Sequence, residues 1–267
     1  MSYIIDPQSR TFGATYIAPS ARRIGASYEP FDAVASMGRV TLGNDLLHCG
    51  STLDINTQLA ANFARNKATS SSLLRRAGIR VPDEVVIPSP RWQTSQPALE
   101  VLREFADGHE VVVKPNSGTR GIGVTLHGDL LSALRAAWES SDDAVLLQRR
   151  VRGPELRVYY LRGRIIGGYW RRQDNDGFGN LSSGEVPELF LGADLPSEIA
   201  EITTQSAQVL GLDYSGFDII VGDLGPVILE ANASPRFNAA STHPGGEEWS
   251  ATLMDTILTE VLKASSR

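Results

Sequence analysis

The hydrophobic pattern of the chain changes at about Asn56. Residues 1–55 carry only short apolar pieces interrupted by glycine, and they predict a few short strands and loops. From Asn56 onward, apolar residues recur at helical spacing and predict one or two helices that end at Gly78. Further helices are predicted at 97–106, 130–138, 199–210 and 247–262.

Short runs of Val, Ile and Leu predict strands between these helices. Two pairs of runs are close enough in sequence to form hairpins, 155–161 with 165–171 and 214–221 with 227–231. Because helices and strands alternate irregularly and hairpins are present, we expect an α+β fold rather than a doubly wound parallel sheet. The other strands are predicted at 81–87, 109–115 and 144–148.

Composition excludes several classes of protein. The chain has 267 residues, 42% hydrophobic and 21% charged, with a net charge of −6, which is typical of a globular protein. No apolar run approaches the roughly 20 residues that span a bilayer, and the first residues lack a signal-peptide pattern. The acidic balance argues against a general nucleic-acid binder. The single cysteine, Cys49, excludes an internal disulfide framework. We therefore expect a soluble cytoplasmic protein without membrane or nucleic-acid partners.

A glycine-rich segment follows the predicted strand that ends at Pro115. Glycines let backbone N–H groups approach a phosphate closely. The spacing fits neither a dehydrogenase fingerprint nor a P-loop, and the segment by itself could be an ordinary hairpin loop. The candidate phosphate-binding residues are Ser117, Gly118, Thr119, Gly121, Ile122 and Gly123.

Lysine is rare in this chain, since only Lys67, Lys114 and Lys263 occur among 25 lysines and arginines. A codon bias toward arginine is the plain explanation. Lys114 nevertheless stands directly before the glycine-rich segment, and Lys67 stands just ahead of a predicted helix. Together with the loop, these two lysines predict a polyphosphate held by two ammonium groups.

The last predicted hairpin carries acids inside apolar strands. A turn near Leu224 pairs position i with roughly position 448 − i, which places Asp218 opposite Glu230 to within a bulge caused by Gly225. Asn232 lies two residues beyond Glu230 and therefore projects from the same face. A solvated sheet face is the alternative. Two opposed carboxylates and an amide in an apolar setting instead favour Mg²⁺, which shares its coordination with substrate phosphates.

Three segments resemble the ATP-grasp superfamily: 112–115, the loop 117–123, and the hairpin end 229–235. Within it the chain is similar to the carboxylate–amine ligases, such as glutathione synthetase, RimK-type glutamate ligases, D-alanine–D-alanine ligase and the ATP-grasp part of cyanophycin synthetase. The resemblance implies two α+β lobes that grip ATP between them. The implied parts are a short N-terminal region at 1–55, which could be a reduced substrate-binding domain, a small lobe with preceding linker helices at 56–150, and a large C-terminal lobe at 151–267.

The resemblance also implies a set of nucleotide contacts. Lys67 and Lys114 would contact the phosphates, the loop 117–123 would cover them, and Glu155 would bind the ribose. Gln148 stands where many relatives have glutamate, and its carbonyl could still accept a hydrogen bond from the adenine amine. The implied hinge, which holds adenine through backbone groups, is Gln148, Arg149, Arg150 and Val151.

Several arginines and one asparagine are implied in catalysis and substrate binding. Arg157 belongs to a Glu-x-Arg segment, and Arg172 resembles the arginine that steadies the acyl phosphate and the tetrahedral intermediate. Arg171 is its rival, because alternation places the two on opposite faces of a strand. Asn180 lies in a stretch similar to the Asn-Leu-x-x-Gly loop of RimK-type ligases. Arg236 stands where many relatives have glycine, and it could bind a substrate carboxylate or point outward.

The implied reaction joins a carboxylate to an amine through an acyl phosphate, with release of ADP and phosphate. The implied cofactors are ATP and two Mg²⁺ ions, for which Mn²⁺ could substitute, held by Asp218, Glu230 and Asn232. Amino acids or peptides are the expected substrates, with the acyl donor free, peptidyl or on a carrier protein, and family habit suggests a homodimer. Two alternatives stay open: a kinase on the same scaffold, and a nucleotide-binding module without catalysis.

Overall fold

The computed structural model describes residues 6–88, 99–118, 122–139, 144–171 and 186–263. Within these ranges the chain forms three antiparallel sheets flanked by helices. The α+β fold expected from the sequence is confirmed. No helix in the described ranges is long and apolar enough to cross a membrane.

Residues 6–55 fold into a helix and a small sheet. A π-helical turn, Gly13–Ile17, runs directly into α1 (Ala18–Arg23). The helix was not predicted, whereas short strands were. An antiparallel sheet of four strands follows, and its strands lie in the sheet in the same order as in the sequence: β1 (Ser27–Pro30), β2 (Met37–Leu42), β3 (Asn44–Cys49) and β4 (Thr52–Leu53).

Two consecutive helices come next, α2 (Gln58–Arg65) and α3 (Lys67–Arg76). Thr57 caps the first and Asn66 the second, and each cap side chain accepts a backbone N–H from the first turn of its helix. The chain leaves α3 through Gly78, whose positive φ of 77° suits glycine. The predicted helices and their predicted end are confirmed.

The small lobe is a four-stranded sheet in the order β5-β8-β6-β7 with two helices on one face. Val111, Val113 and Leu147 pack against those helices. The opposite face carries Lys114 and Gln148, because side chains alternate along each strand. The elements are β5 (Glu84–Pro88), α4 (Leu99–Ala106), β6 (Val111–Pro115), β7 (Thr125–His127), α5 (Leu130–Glu139) and β8 (Ala144–Arg149).

The large lobe is built on a five-stranded sheet in the order β11-β10-β9-β12-β13. The two hairpins predicted from the sequence are confirmed as β9–β10 and β12–β13, and the edge strand β11 was not predicted. The elements are β9 (Glu155–Leu161), β10 (Arg164–Arg171), β11 (Glu188–Leu191), α6 (Ser197–Leu210), β12 (Tyr214–Gly222), β13 (Gly225–Asn232), α7 (Asn238–Ser241) and α8 (Gly246–Lys263).

The two faces of this central sheet have different partners. Leu156, Val158 and Phe217 face α2, α3 and α6 in one core. The other face is apolar at one end, around Tyr159, where α8 and the N-terminal region cover it. Its other end carries charged side chains from β9, β10, β12 and β13. We call this charged end the cleft face.

Aromatic rings join the N-terminal region to the large lobe. Their neighbouring centroids lie 5.0 to 6.5 Å apart, within the range of favourable aromatic pairs. Residues 6–55 therefore share a core with the large lobe, while the boundary at residue 55 stays a sequence-based prediction. The six rings are Phe12, Tyr16, Tyr159, Tyr169, Phe237 and Trp249.

Candidate active site

The hairpin of β12 and β13 brings two acids and an amide together. Asp218 is paired with Glu230, and Gly216 is paired with Asn232, so all three polar side chains lie on the cleft face. The register shifts directly after Asp218 and not at Gly225, where the sequence suggested a bulge; Gly225 pairs with Gly222. The predicted pairing of Asp218 with Glu230 is confirmed. It could be predicted because a hairpin turn sets the pairing of its own strands.

Arg157 on β9 lies opposite Asp218 in the register and binds it through both ends of its carboxylate. Nε donates to Oδ1 at 2.6 Å and Nη2 donates to Oδ2 at 2.7 Å, the bidentate geometry of a strong ion pair. Asn232 also donates to Oδ2 of Asp218, at 3.4 Å. Burial lowers and the Asp218 carboxylate raises the pKa of Arg157, and the net direction is upward. The Arg157 guanidinium is therefore charged at any physiological pH.

A second ion pair, between Arg171 and Glu155, lies beside the first. Arg171 Nη2 is also 3.8 Å from Oδ1 of Asp218, so the two pairs form one network. Burial raises the pKa of Glu155 to about 7, against the opposing effect of the Arg171 guanidinium. Arg171 thus lies on the cleft face, and its rival Arg172 falls outside the described residues.

Lys67 lies in the first turn of α3 and links that helix to Gly118 and to Glu230. Its ammonium donates to the backbone carbonyl of Gly118 at 2.5 Å and lies 3.6 Å from Oε1 of Glu230. Burial raises the pKa of Glu230, while Lys67 acts in the opposite direction. The lysine therefore joins the start of the glycine-rich loop to one of the two opposed acids.

Lys114 is buried at the end of β6, with 7% of its surface exposed. Burial lowers its pKa to about 8, Glu230 counteracts that shift, and Lys67 adds to it. Two lysines and a carboxylate thus converge where the small lobe meets the large one. This arrangement matches the phosphate-binding role that the sequence predicted for both lysines, which stays a prediction.

Asn116 is a buried residue that the sequence reasoning missed. Its backbone carbonyl accepts from Lys67 N at 3.1 Å and its side-chain Oδ1 accepts from Ala68 N at 3.0 Å. Asn116 therefore fastens the end of β6 to the first turn of α3. A polar residue directly after Lys114-Pro115, ahead of the glycines, is the only sequence signal that could have suggested this role.

Three side chains of the implied hinge, at the end of β8, have partners within the small lobe. The Arg149 guanidinium packs on the Phe105 ring at 5.0 Å, and Arg150 forms an ion pair with Glu110. Gln148 lies on the same face of its sheet as Lys114 and donates from Nε2 to Glu84 at 2.6 Å. Val151 follows, partly buried, between the two lobes.

The glycine-rich loop is described at its two ends. Ser117 and Gly118 follow Asn116, and Gly123 has the positive φ of 77° that favours glycine. Ile122 is 65% exposed. The remaining predicted site residues, Thr119, Gly121 and Asn180, lie outside the described residues, as Arg172 does.

The donor set of the hairpin suits Mg²⁺. Within the described ranges no group of three or more His, Cys, Asp or Glu side chains could hold a metal by itself. Asp218, Glu230 and Asn232 supply two carboxylates and an amide oxygen, which are hard oxygen ligands. Such a set leaves part of the coordination to substrate phosphates, and Mg²⁺ binds nucleotides in this way. The residues present therefore fit the ion.

Arg236, four residues beyond Asn232, is exposed and lies beside the N-terminal region. Its Nε donates to Ser51 Oγ at 3.2 Å. The residue does not join the ion-pair network around Asp218.

Solved structures of low identity share the fold. D-alanine–D-alanine ligase from Bacillus anthracis in complex with ATP is 23% identical, with a TM-score of 0.57 over 79% of this chain and 71% of that one. The ATP-grasp ligase PsnB, in complex with a precursor peptide and AMPPNP, is 23% identical, with a TM-score of 0.54 over 77% of this chain and 61% of that one.

Curated relatives are more similar in sequence. A probable alpha-L-glutamate ligase from Enterobacter sp. is 31% identical over 87% of this chain and 78% of its own length. A ribosomal protein bS6–L-glutamate ligase from Escherichia coli is 29% identical over the same shares. The model of the RimK-like ATP-grasp domain matches residues 64–256. The resemblance predicted from the sequence is thus confirmed, and the chain belongs to the RimK-like ATP-grasp family.

Proposed function

We propose that this chain, an ATP-dependent ligase that forms carbon–nitrogen bonds, joins the carboxylate of a peptide or protein to the amine of an amino acid. Glutamate is the first candidate for the amino acid, because the relatives are named as L-glutamate ligases. The observation that carries the proposal is the convergence of Lys67 and Lys114 on Glu230 at the junction of the lobes, next to the Arg157–Asp218 pair.

The chemistry follows from the charges of the reactants. An oxygen of the substrate carboxylate attacks the γ-phosphate of ATP, and the bond to the β-phosphate oxygen breaks, giving an acyl phosphate and ADP. The amine then attacks the acyl carbon, loses a proton, and expels inorganic phosphate. Since both partners of the first step are anions, Lys67 and Lys114 neutralise and align the phosphates.

Mg²⁺ bound by Asp218, Glu230 and Asn232 would neutralise further phosphate charge. Two ions are proposed, by family resemblance, and Mn²⁺ is proposed as a substitute. Since Arg157 occupies both oxygens of Asp218, it must share that carboxylate with any ion that binds there. We therefore expect the geometry of the Arg157–Asp218 pair to change when an ion binds Asp218.

The arginines of the cleft face are suited to the second step. The tetrahedral intermediate carries a developing oxyanion, and a preorganised cation stabilises it. Removing one such group costs about 2.7–4 kcal/mol of barrier in other enzymes. Arg171 lies on this face, and Arg172 stays the other candidate for this role. Water must be excluded from the acyl phosphate, so the loop 117–123 is proposed as a lid over it.

The nucleotide base is proposed to lie along the hinge, with Val151 offering backbone groups and the side-chain carbonyl of Gln148 accepting from the adenine amine, since the backbone of Gln148 is paired within the sheet. The backbone N–H groups of Arg149 and Arg150 already donate to Asp83 and Glu110, each at 2.9 Å. Glu155 is proposed to bind the ribose, which would require the nucleotide to share it with Arg171. A homodimer stays a prediction from the family resemblance.

A product assay tests the proposal. Purified protein is mixed with ATP, Mg²⁺, a peptide with a free C-terminal carboxylate and each amino acid in turn, and products are identified by mass spectrometry. We expect ADP, phosphate and a peptide extended by one residue, with glutamate preferred. Replacing the amino acid by hydroxylamine should give the peptidyl hydroxamate, which reports the acyl phosphate.

Three results would count against the proposal. Phosphorylated product without hydroxamate would indicate a kinase. Nucleotide binding without any turnover would indicate a non-catalytic module. A Glu230→Gln variant that kept full Mg²⁺-dependent activity would contradict the assignment of the hairpin, with the exposed Lys263→Gln as the matched control.

A further inference from the structure

We propose that Arg236, held by Ser51 of the N-terminal region, binds the carboxylate of the amino acid that supplies the amine. The inference rests on the proposed ligase function and adds a recognition site to it. It also gives the N-terminal region a part in substrate selection.

The backbone of Arg236 is fixed close to Arg157 of the ion-pair network. Tyr159 OH donates to the Arg236 carbonyl at 2.8 Å, and Tyr159 stands two residues from Arg157 on the same face of β9, a separation of about 7 Å. Pro235 lies over Gly216, where an added methyl group would be 2.9 Å from both Pro235 Cβ and Arg157 Nη1. Arg236 therefore leaves the sheet at the edge of the cleft face.

The side chain of Arg236 is oriented by the turn between β3 and β4. Its Nε donates to Ser51 Oγ at 3.2 Å, and the buried Ser51 hydroxyl in turn donates to the Ser234 carbonyl at 3.3 Å. Thr52 and Ser234 are joined through their hydroxyls at 3.0 Å. Because Nε is engaged, the guanidinium is held in place while its two terminal nitrogens remain for another partner.

Among the described residues, Arg236 has no acidic partner. Arg157 and Arg171 on the cleft face are both paired with carboxylates. Over the described part of the chain, no carboxylate oxygen lies within 4.0 Å of the Arg236 guanidinium. A planar guanidinium with two parallel N–H donors matches a carboxylate in shape and charge. The site is thus built for an anion that comes from outside.

The amine substrate is the reactant that requires such a site. The carboxylate of the acyl substrate reacts with the γ-phosphate and becomes part of the acyl phosphate, whose charge the two lysines neutralise. An amino acid keeps its own carboxylate throughout, and that group must be held away from the γ-phosphate while the amine faces the acyl carbon. The Arg236 guanidinium lies beyond Asn232 and outside the ion-pair network. It is therefore suited to hold the carboxylate away from the γ-phosphate while the amine faces the acyl carbon.

The test compares two amines on the full-length protein. Glutamate carries carboxylates, whereas hydroxylamine carries none, so only glutamate should need Arg236. For Arg236→Ala we expect the KM for glutamate to rise about 10- to 100-fold, as for loss of a charge-assisted hydrogen bond, with hydroxamate formation unchanged. Arg236→Lys should recover part of the loss, and Ser51→Ala should show a smaller rise in the same KM. Arg76→Ala, at an exposed arginine of α3, is the control and should match wild type.

The outcomes separate this inference from the function on which it rests. If Arg236→Ala lowers hydroxamate formation as much as amide formation, the arginine serves the acyl or phosphoryl group and the inference is wrong. An unchanged KM for glutamate would equally overturn it. If the wild-type protein forms neither hydroxamate nor amide, the proposed ligase substrates are wrong and the inference fails with them.

Discussion

Replacing Lys114 by methionine should make the ligand-free protein more stable while it abolishes tight ATP binding. The lysine is 7% exposed, and burial lowers its pKa from 10.5 to about 8. A lowered lysine pKa means that the folded protein disfavours the charged side chain. Methionine fills a similar volume without a charge, so it removes this penalty.

The size of the effect follows from the pKa values. A change from 10.5 to about 8 corresponds to about 3 kcal/mol of unfolding free energy. The unfolded chain binds more protons between these two values, so wild-type stability rises as pH increases through that window. The penalty is therefore nearly complete at pH 7 and fades above pH 8. We expect the advantage of Lys114→Met, about 3 kcal/mol at pH 7, to fall by roughly half at pH 9.5.

Urea denaturation at both pH values measures this difference, and calorimetric titration with ATP and Mg²⁺ measures binding. Lys263→Met is the matched control, because Lys263 is exposed at the end of α8. The control should change neither quantity. A Lys114→Met protein that is no more stable than wild type at pH 7, or whose advantage does not depend on pH, would refute the reasoning.

Two further predictions concern the junction of the lobes. Lys67→Arg should lower kcat/KM for ATP by about 10- to 100-fold in a steady-state assay, because a planar guanidinium cannot replace a compact ammonium that contacts both Gly118 and Glu230; wild-type turnover would contradict this. Asn116→Ala should lower the unfolding free energy by about 1–3 kcal/mol and raise the KM for ATP, because Ala68 N loses its acceptor. Denaturation curves and kinetics that both match wild type would exclude the fastening role of Asn116.

Local sequence was sufficient to predict the acid hairpin. The pairing of Asp218 with Glu230 depends only on the position of one turn, and the structure shows that pair with the bulge beside it. Alternation also predicted that Arg171 and Arg172 point to opposite faces. It could not show that Arg171 would take Glu155 as its partner, because that contact joins the far end of β10 to the start of β9.

The contacts of the N-terminal region could not be predicted from its own pattern. Its strands are short and the apolar positions follow no sustained period, since their partners are supplied by residues about two hundred positions later. Phe12 and Tyr16 pack on Phe237 at centroid distances of 5.8 and 5.5 Å, and Phe237 directly follows Arg236. Burying this ring fixes the backbone from which the arginine projects.

The central sheet therefore carries buried charged side chains at one end and an apolar core at the other. At its cleft end, burial raises the pKa values of Glu155 and Glu230, and burial lowers the pKa of Lys114, which interacts with Glu230 from the small lobe. These charges therefore oppose folding. At its other end, Tyr159 belongs to an apolar core with α8 and the N-terminal region. Since the same strand, β9, carries Glu155 and Tyr159, the apolar end holds the charged end in place. The N-terminal residues thus support the site energetically through the core, whatever they contribute to recognition through Ser51.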